Sequence, residues 1–397
     1  MSKNESVVHG HCDPRFAKVE EIFANSFKDE SEIGASVSFT LDGESVVDLW
    51  GGYKDKAHSQ PWEADTLVNV YSTTKGMVAI CAHQLIEKGL LDLSLPVAHY
   101  WPEFAAEGKE NLPVHYLLSH RAGLPAVRKP LPEGAIYDWE AFTSALAAQE
   151  PWWEPGTQHG YHALTFGHLV GEVIRRVSGQ SVGQYFQEHV ADPLDADFYI
   201  GIGPEFDSRI SDIHGGLVSP DSGNEPAKLP EPIRQFMRDM SDPTTMTGAA
   251  FNNPPIATDA VNSRAWRQAE IPAGNGHGTA RALARIYGAL ARGGEIDGVR
   301  ILQPETLDRA ITQQAEGPDA VLGGMPMRFG LGFMLRSMVM PLSPNPRAFG
   351  HPGAGGSIGM ADPDARVGFG YTMNKMKQGL VGGASAFAML GAFFDEL

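Results

Sequence analysis

Between Val68 and Lys88 the chain reads VNVYSTTKGMVAICAHQLIEK, a short apolar run followed by Met77, Val78, Cys81, Leu85 and Ile86 at helical spacing. The pattern predicts a strand or extended segment that turns at Ser72-Thr73-Thr74-Lys75 into a long helix, ended by Gly89. Upstream, Asp13-Pro14 is an N-cap and first-turn pair for an amphipathic helix carrying Phe16, Val19, Ile22, Phe23 and Phe27. Gly34 to Leu41 and Ser45 to Trp50 are β-rich runs joined across Asp42-Gly43, a hairpin signal. The chain is thus expected to begin helix, strand, strand, which favours an antiparallel sheet over a βαβ winding.

From Gly89 to about residue 200 the apolar period is mostly helical, with a short helix over Val114 to His120 and a longer one over Leu164 to Val177, stopped at Gly179. Residues from about 203 to 262 are rich in Pro, Gly, Ser and Asp without a period, the pattern of a binding wall or an insert. Thr279 is an N-cap for an Ala-rich helix to Arg292, closed by Gly293-Gly294. Strand-like runs return at Arg328 to Leu335, Ser357 to Ala361 and Arg366 to Met373, before an apolar helix from about Val381 to Phe394. The expected fold class is α+β, with both ends of the chain completing one antiparallel sheet.

Composition narrows the function. With 48 acidic against 31 basic residues the formal charge is -17, a sign that repels phosphate backbones and argues against nucleic acid as a partner. MSKNESVVHGHCDPRF contains no apolar signal core and no run is long enough to span a bilayer, so a cytoplasmic protein without membrane contact is expected. Cys12 and Cys81 are the two cysteines, which suits a reducing compartment rather than a disulfide framework. Among 14 His residues none forms H-E-x-x-H, and no thiol or carboxylate stands at ligand spacing, so no metal and no cofactor is expected.

The start of the Val68–Lys88 helix carries the candidate chemistry. Residues three apart on a helix are surface neighbours, so the Ser72 hydroxyl and Lys75 amine can meet, and the free N–H groups of the first turn point at whatever binds beside them. A serine nucleophile needs a base and donors for its oxyanion, and this geometry supplies both. Lys75 alone among the lysines has a serine three places before it. Tyr161 follows a turn-rich stretch, Glu154-Pro155-Gly156-Thr157-Gln158-His159-Gly160, where a phenol can enter a cleft and a nearby ammonium lowers its pKa. His351-Pro352-Gly353-Ala354-Gly355-Gly356-Ser357 lets a ligand approach the backbone, and since Pro352 has no N–H, Ala354 is the candidate second oxyanion donor. Gly355 to Gly359 also fits G-x-S-x-G, but the flanks read strand to strand and no histidine follows His351, so Ser357 is not expected to be a nucleophile. His120 reads as a hydrogen-bonded structural histidine, and Trp152 and Trp153 read equally as acyl-pocket lining or as core.

In order and spacing, Ser72-x-x-Lys75, Leu117-Leu118-Ser119-His120-Arg121-Ala122-Gly123-Leu124, Pro155-Gly156 with Tyr161, and His351-Pro352-Gly353 resemble the serine β-lactamase and penicillin-binding-protein superfamily. Within it the chain is similar to the class C-related esterases, the family VIII carboxylesterases. The resemblance implies a β-lactamase-like fold: a lobe of residues 1–95 plus 270–397, with an antiparallel sheet flanked by N- and C-terminal helices, and an inserted, mainly helical lobe over 96–269. It implies Ser72 as nucleophile, Lys75 and Tyr161 as base and acid, the N–H groups of Ser72 and Ala354 as oxyanion hole, and His351, Gly353 and Trp153 at the substrate. Class C enzymes carry Tyr-x-Asn and Lys-Thr-Gly where this chain has Tyr161-His162-Ala163 and His351-Pro352-Gly353, and both departures point to neutral short-chain esters. A β-lactam, a D-amino-acid amide, or acyl transfer to an alcohol are the alternatives at the same serine; oligomeric state is not specified.

Overall fold

The computed structural model describes residues 8–216, 231–257, 259–377 and 382–397. Its largest sheet is antiparallel, with strands β1 (Val8–Cys12), β2 (Gly34–Leu41), β3 (Glu44–Gly52), β4 (Ala315–Pro318), β5 (Pro326–Phe329), β6 (Met334–Leu335), β7 (Phe349–Pro352), β8 (Ile358–Asp362) and β9 (Val367–Met373). They lie in the order β1-β3-β2-β9-β8-β7-β6-β5-β4. Pairing of β2 with β9, Val37 opposite Tyr371 and Phe39 opposite Phe369, joins the two ends of the chain. The helices that bear on the site are α1 (Ala17–Lys28), α2 (Thr74–Glu87), α3 (Thr165–Ser178), α4 (Glu231–Ser241), α5 (Met246–Asn252), α6 (Ala280–Ala291) and α7 (Ala384–Asp395).

Alternation along β9 explains how the sheet is covered on both faces. Phe369 points to α1 and α7, where Phe39 stacks on Phe393 at 4.2 Å and Phe16 on Phe393 at 4.1 Å. Gly368 and Gly370 point the other way, and a Cβ on Gly370 would stand 2.2 Å from the Ala280 carbonyl, so bare backbone is what lets α6 lie close. A second core surrounds α2, gathering residues of α3, α6 and the helical segments between 97 and 194.

The expected helix ends are present. Thr279 Oγ1 accepts from Ala282 N at the start of α6, and Gly179 ends α3 with φ 75°. Four expectations differ. A strand, β1, precedes the first helix, because Val8 to Cys12 pair with Val47 to Gly51 at the sheet edge. The helix α2 has no solvent face: Thr74 through Leu85 are buried, and its polar positions find tertiary carbonyls, His83 Nε2 at Leu331 O (2.9 Å) and Gln84 Nε2 at Ile301 O (3.0 Å). The stretch read as lacking a period contains α4 and α5, a charged helix with Arg238 on Glu231 and a short one capped by Thr245. A small second sheet, Phe198–Ile200, Gly276–Gly278, Leu67–Asn69 and Ile210–Ser211, was not foreseen beyond the strand before Ser72. Residues 217–230 and the expected start of the last helix at Val381 lie outside the described residues. No helix among the described residues is long and apolar enough to cross a membrane.

Candidate active site

The small sheet delivers the chain to Ser72. After Leu67–Asn69, Tyr71 adopts a left-handed conformation, φ 47°, which turns the backbone sharply before α2 begins. The turn is closed by Lys75 N–H on Ser72 O at 3.0 Å. Thr74 Oγ1 accepts from Gly276 N at 2.9 Å, pinning the turn to the neighbouring strand. Ser72 therefore stands just ahead of the first helical residues.

Lys75 is wholly buried, and its Nζ lies 3.0 Å from Ser72 Oγ, 2.8 Å from Ala163 O and 2.9 Å from Ala273 O. Burial holds its pKa well below the ordinary lysine value. A neutral amine has two N–H bonds and one lone pair. The two carbonyls take the N–H bonds, which leaves the lone pair for the Ser72 hydroxyl to donate into. The Ala273 carbonyl reaches this position because α3 presents Gly167, where a Cβ would stand 2.4 Å from Ala273 N.

Tyr161 closes over the pair, with Lys75 Nζ 4.8 Å from its ring centre. Burial pushes the phenol well up, and the hydrogen bond with the Ser72 hydroxyl opposes that only in part. The expectation that an ammonium lowers the Tyr161 pKa is thus reversed: desolvation of the buried phenol dominates and keeps it protonated. The Leu117–Leu124 motif supports this loop. Gly160 N–H donates to His120 O (3.1 Å), His162 N–H to His120 Nδ1 (3.1 Å), and Leu124 N–H to His162 Nε2 (3.2 Å). Both imidazoles are driven neutral by burial, His162 to about 4.

The glycine-rich stretch is strand, turn, strand, and it is fastened directly to the Ser72 segment. Ser357, fully buried, donates to Val70 O at 2.8 Å and lies 3.3 Å from Thr73 Oγ1. A Cβ on Gly353 would stand 2.1 Å from Val70 O, so only glycine permits this approach. Among the described residues neither the Ser72 N–H nor the Ala354 N–H finds a partner, which leaves both free for an incoming oxygen. His351 has its ring 6.1 Å from that of Tyr161, with Nδ1 on Pro352 O at 2.8 Å and Nε2 buried without a partner among the described residues. Burial lowers its pKa to about 3.

The two tryptophans separate. Trp152 packs into the apolar cluster that holds Tyr161, Ala163, Ala249, Ala250, Val321 and Leu322, whereas Trp153 lies behind Gly160, edge-on to His162 at 6.1 Å. Two contributions escaped sequence reading: the carbonyls of Ala163 and Ala273, which leave no side-chain signal, and Asp319, whose carboxylate accepts from Tyr161 N at 3.0 Å. The Pro318-Asp319 turn was the only visible hint of the latter.

The family description "Beta-lactamase" matches residues 19–390. The chain belongs to the beta-lactamase family. Within this family it is 39% identical over 380 residues to "Esterase/beta-lactamase LipL" of Mycobacterium tuberculosis, covering 94% of this chain and 84% of that protein. It superposes on the crystal structure of a family VIII carboxylesterase with a TM-score of 0.89 at 41% identity, covering 98% of this chain and 100% of that one. A penicillin-binding protein homologue from Caulobacter crescentus gives 0.88 at 36% identity, covering 99% and 100%. The likeness read from the motifs thus holds over essentially the whole chain.

Proposed function

We propose that this beta-lactamase-family protein is a serine ester hydrolase that cleaves uncharged short-chain carboxylic esters through an acyl-enzyme on Ser72. The observation that carries the reading is the buried Lys75 amine, its pKa held well below the ordinary lysine value, 3.0 Å from the Ser72 hydroxyl. Similarity to a family VIII carboxylesterase and to a protein named esterase/beta-lactamase supports ester cleavage.

In this reading Ser72 Oγ attacks the ester carbonyl carbon while its proton passes to Lys75 Nζ. The oxyanion takes the free N–H groups of Ser72 and Ala354. The carbon–oxygen bond to the alcohol then breaks, and Tyr161 Oη–H gives the departing alkoxide its proton, to be restored from Lys75. Water deprotonated by the same pair attacks the acyl carbon and releases Ser72. Lys75 takes the first proton because burial pushes it towards its neutral form, whereas burial keeps Tyr161 protonated. No metal or organic cofactor enters this scheme.

Charge sets the substrate class. His351, which stands where class C enzymes carry the lysine of Lys-Thr-Gly that a lactam carboxylate would seek, is uncharged near neutrality. Turnover of β-lactams, a D-amino-acid amide or an alcohol acceptor is on this view a side activity. The same reading divides the chain into lobes 1–95 with 270–397 and 96–269. It is a cytoplasmic protein, in keeping with free Cys12 and Cys81.

The test is intact-mass detection of an acyl adduct with p-nitrophenyl butyrate, mapped to the Ser72 peptide, beside turnover of nitrocefin. An adduct elsewhere, or faster turnover of nitrocefin than of the ester, overturns the reading.

A further inference from the structure

The side chain of Asp319 is fully buried and belongs to none of the chemical steps above. Its Oδ1 accepts three backbone N–H groups, from Tyr161 at 3.0 Å, Val321 at 2.9 Å and Leu322 at 2.9 Å. The stitching is reciprocal, since Ala320 N–H donates to His159 O at 3.1 Å and Asp319 N–H to Met325 O at 2.9 Å. Residues 319–325 are in this way clamped to 159–161, more than a hundred residues away in sequence. The second carboxylate oxygen, Oδ2, faces His159 Nε2 at 3.9 Å, and neither atom has another partner among the described residues. Gly317 bonds the same imidazole through its backbone. Two buried acceptor atoms facing each other require a proton on one of them.

A buried carboxyl group is costly unless its oxygens are satisfied, so its presence needs a compensating role. The same turn gives that role a shape. Val321 and Leu322, whose N–H groups Asp319 holds, share an apolar cluster with Tyr161, Ala163, Ala249 and Ala250, and Thr247 Oγ1 fastens α5 to Val321 O at 3.1 Å. One carboxylate oxygen therefore sets the backbone of the phenol and of the wall opposite it.

Resting on the functional reading above, we propose that Asp319, facing His159, is the positioning residue that holds Tyr161 in register with Ser72 and Lys75. It touches neither substrate nor reacting atoms. It acts through the Tyr161 N–H, fixing where the phenol stands when the alkoxide leaves.

The experiment compares Asp319→Ala, Asp319→Asn and Tyr161→Phe in protein shown to be folded by near-ultraviolet circular dichroism, with ethyl butyrate as the substrate. Asp319→Ala should lower kcat about 100-fold, the scale of a misplacement near 1 Å, with KM within about twofold. Asp319→Asn should recover kcat to within about tenfold of the wild type, because its oxygen still accepts the three N–H groups and its amide donates to His159 Nε2. Where the alanine variant does not fold, Asp319→Ser replaces it, since a hydroxyl reaches at most one of the three donors. Wild-type kcat in a folded Ala or Ser variant, or no recovery with Asn, overturns the proposal. Tyr161→Phe separates the two levels: if it keeps full activity, the functional reading fails, whereas if it is impaired and Asp319→Ala is not, only the positioning role fails.

Discussion

Lys75 Nζ stands 3.0 Å from Ser72 Oγ, and its other two contacts are the carbonyls of Ala163 and Ala273. A lysine so placed acts as a base because complete burial disfavours its charged form. Arginine cannot lose its proton at the same site. Lys75→Arg should therefore be as inactive as Lys75→Met, each lowering kcat by about 10²–10⁴, the range for a lost general base. Steady-state turnover of p-nitrophenyl butyrate checks this, and an arginine variant near wild type would show that charge rather than deprotonation is what Lys75 supplies.

Tyr161 is held protonated by burial, which makes it a donor to the leaving group rather than the first base. A leaving group that departs well as an anion needs little help from a donor. Tyr161→Phe should thus impair ethyl butyrate by about 10²–10⁴ and p-nitrophenyl butyrate far less. Equal impairment of both esters would place Tyr161 in the attack on the carbonyl instead.

What was legible in the sequence is what short-range geometry dictates. Ser72 and Lys75 lie three apart, Thr279 caps the helix immediately after it, and Gly179 ends a helix by its own φ. Each depends on neighbours within one turn. The unread features depend on partners far away. The solvent-free surroundings of α2 come from packing on all sides, so a stripe visible at Met77 and Cys81 says nothing of Ala79 or Gly76, where a Cβ would stand 2.2 Å from Tyr287 Oη. Direction of the Tyr161 shift could not be read because it turns on desolvation of the phenol itself, which tertiary packing decides. The edge strand β1 was hidden because its burial pattern is that of an exposed edge, with His9, Gly10 and His11 open to solvent.

Gly353 and Ser357 hold the Ala354 turn against Val70, and they should fail differently. Gly353→Ala forces a Cβ to within 2.1 Å of Val70 O, which must displace the turn and with it the Ala354 N–H. Loss of one oxyanion donor lowers kcat by about 10²–10³. Ser357→Ala removes the bond to Val70 O, at a stability cost of about 1–3 kcal/mol, while Ser72 remains the residue labelled by a fluorophosphonate. Mass-mapped labelling and thermal melts distinguish the two variants, and a label on Ser357 in the wild type would refute the assignment of the nucleophile.

Buried imidazoles make the fold sensitive to acid. His83 and His162 are lowered to about 4, His168, His277 and His351 to about 3, and His120 well below its ordinary value, all by desolvation. For each, the folded pKa lies below the unfolded value near ~6.5. The unfolded chain therefore binds protons that the folded one refuses, and stability is lost as pH falls below that value. Each group contributes up to roughly 2 kcal/mol of loss at pH 5, against a total stability of about 5–15 kcal/mol for a typical fold. The melting temperature should accordingly fall steeply from pH 7 to pH 5. His168 packs between Trp139 and Phe142, with ring centres at 4.9 and 4.3 Å, and has no part in the proposed chemistry. His168→Leu should flatten the acid slope by about 1 kcal/mol per pH unit averaged between pH 5 and 7. Denaturant unfolding of both proteins between pH 5 and 7 measures it, and identical slopes would mean that His168 already carries its proton in the folded state.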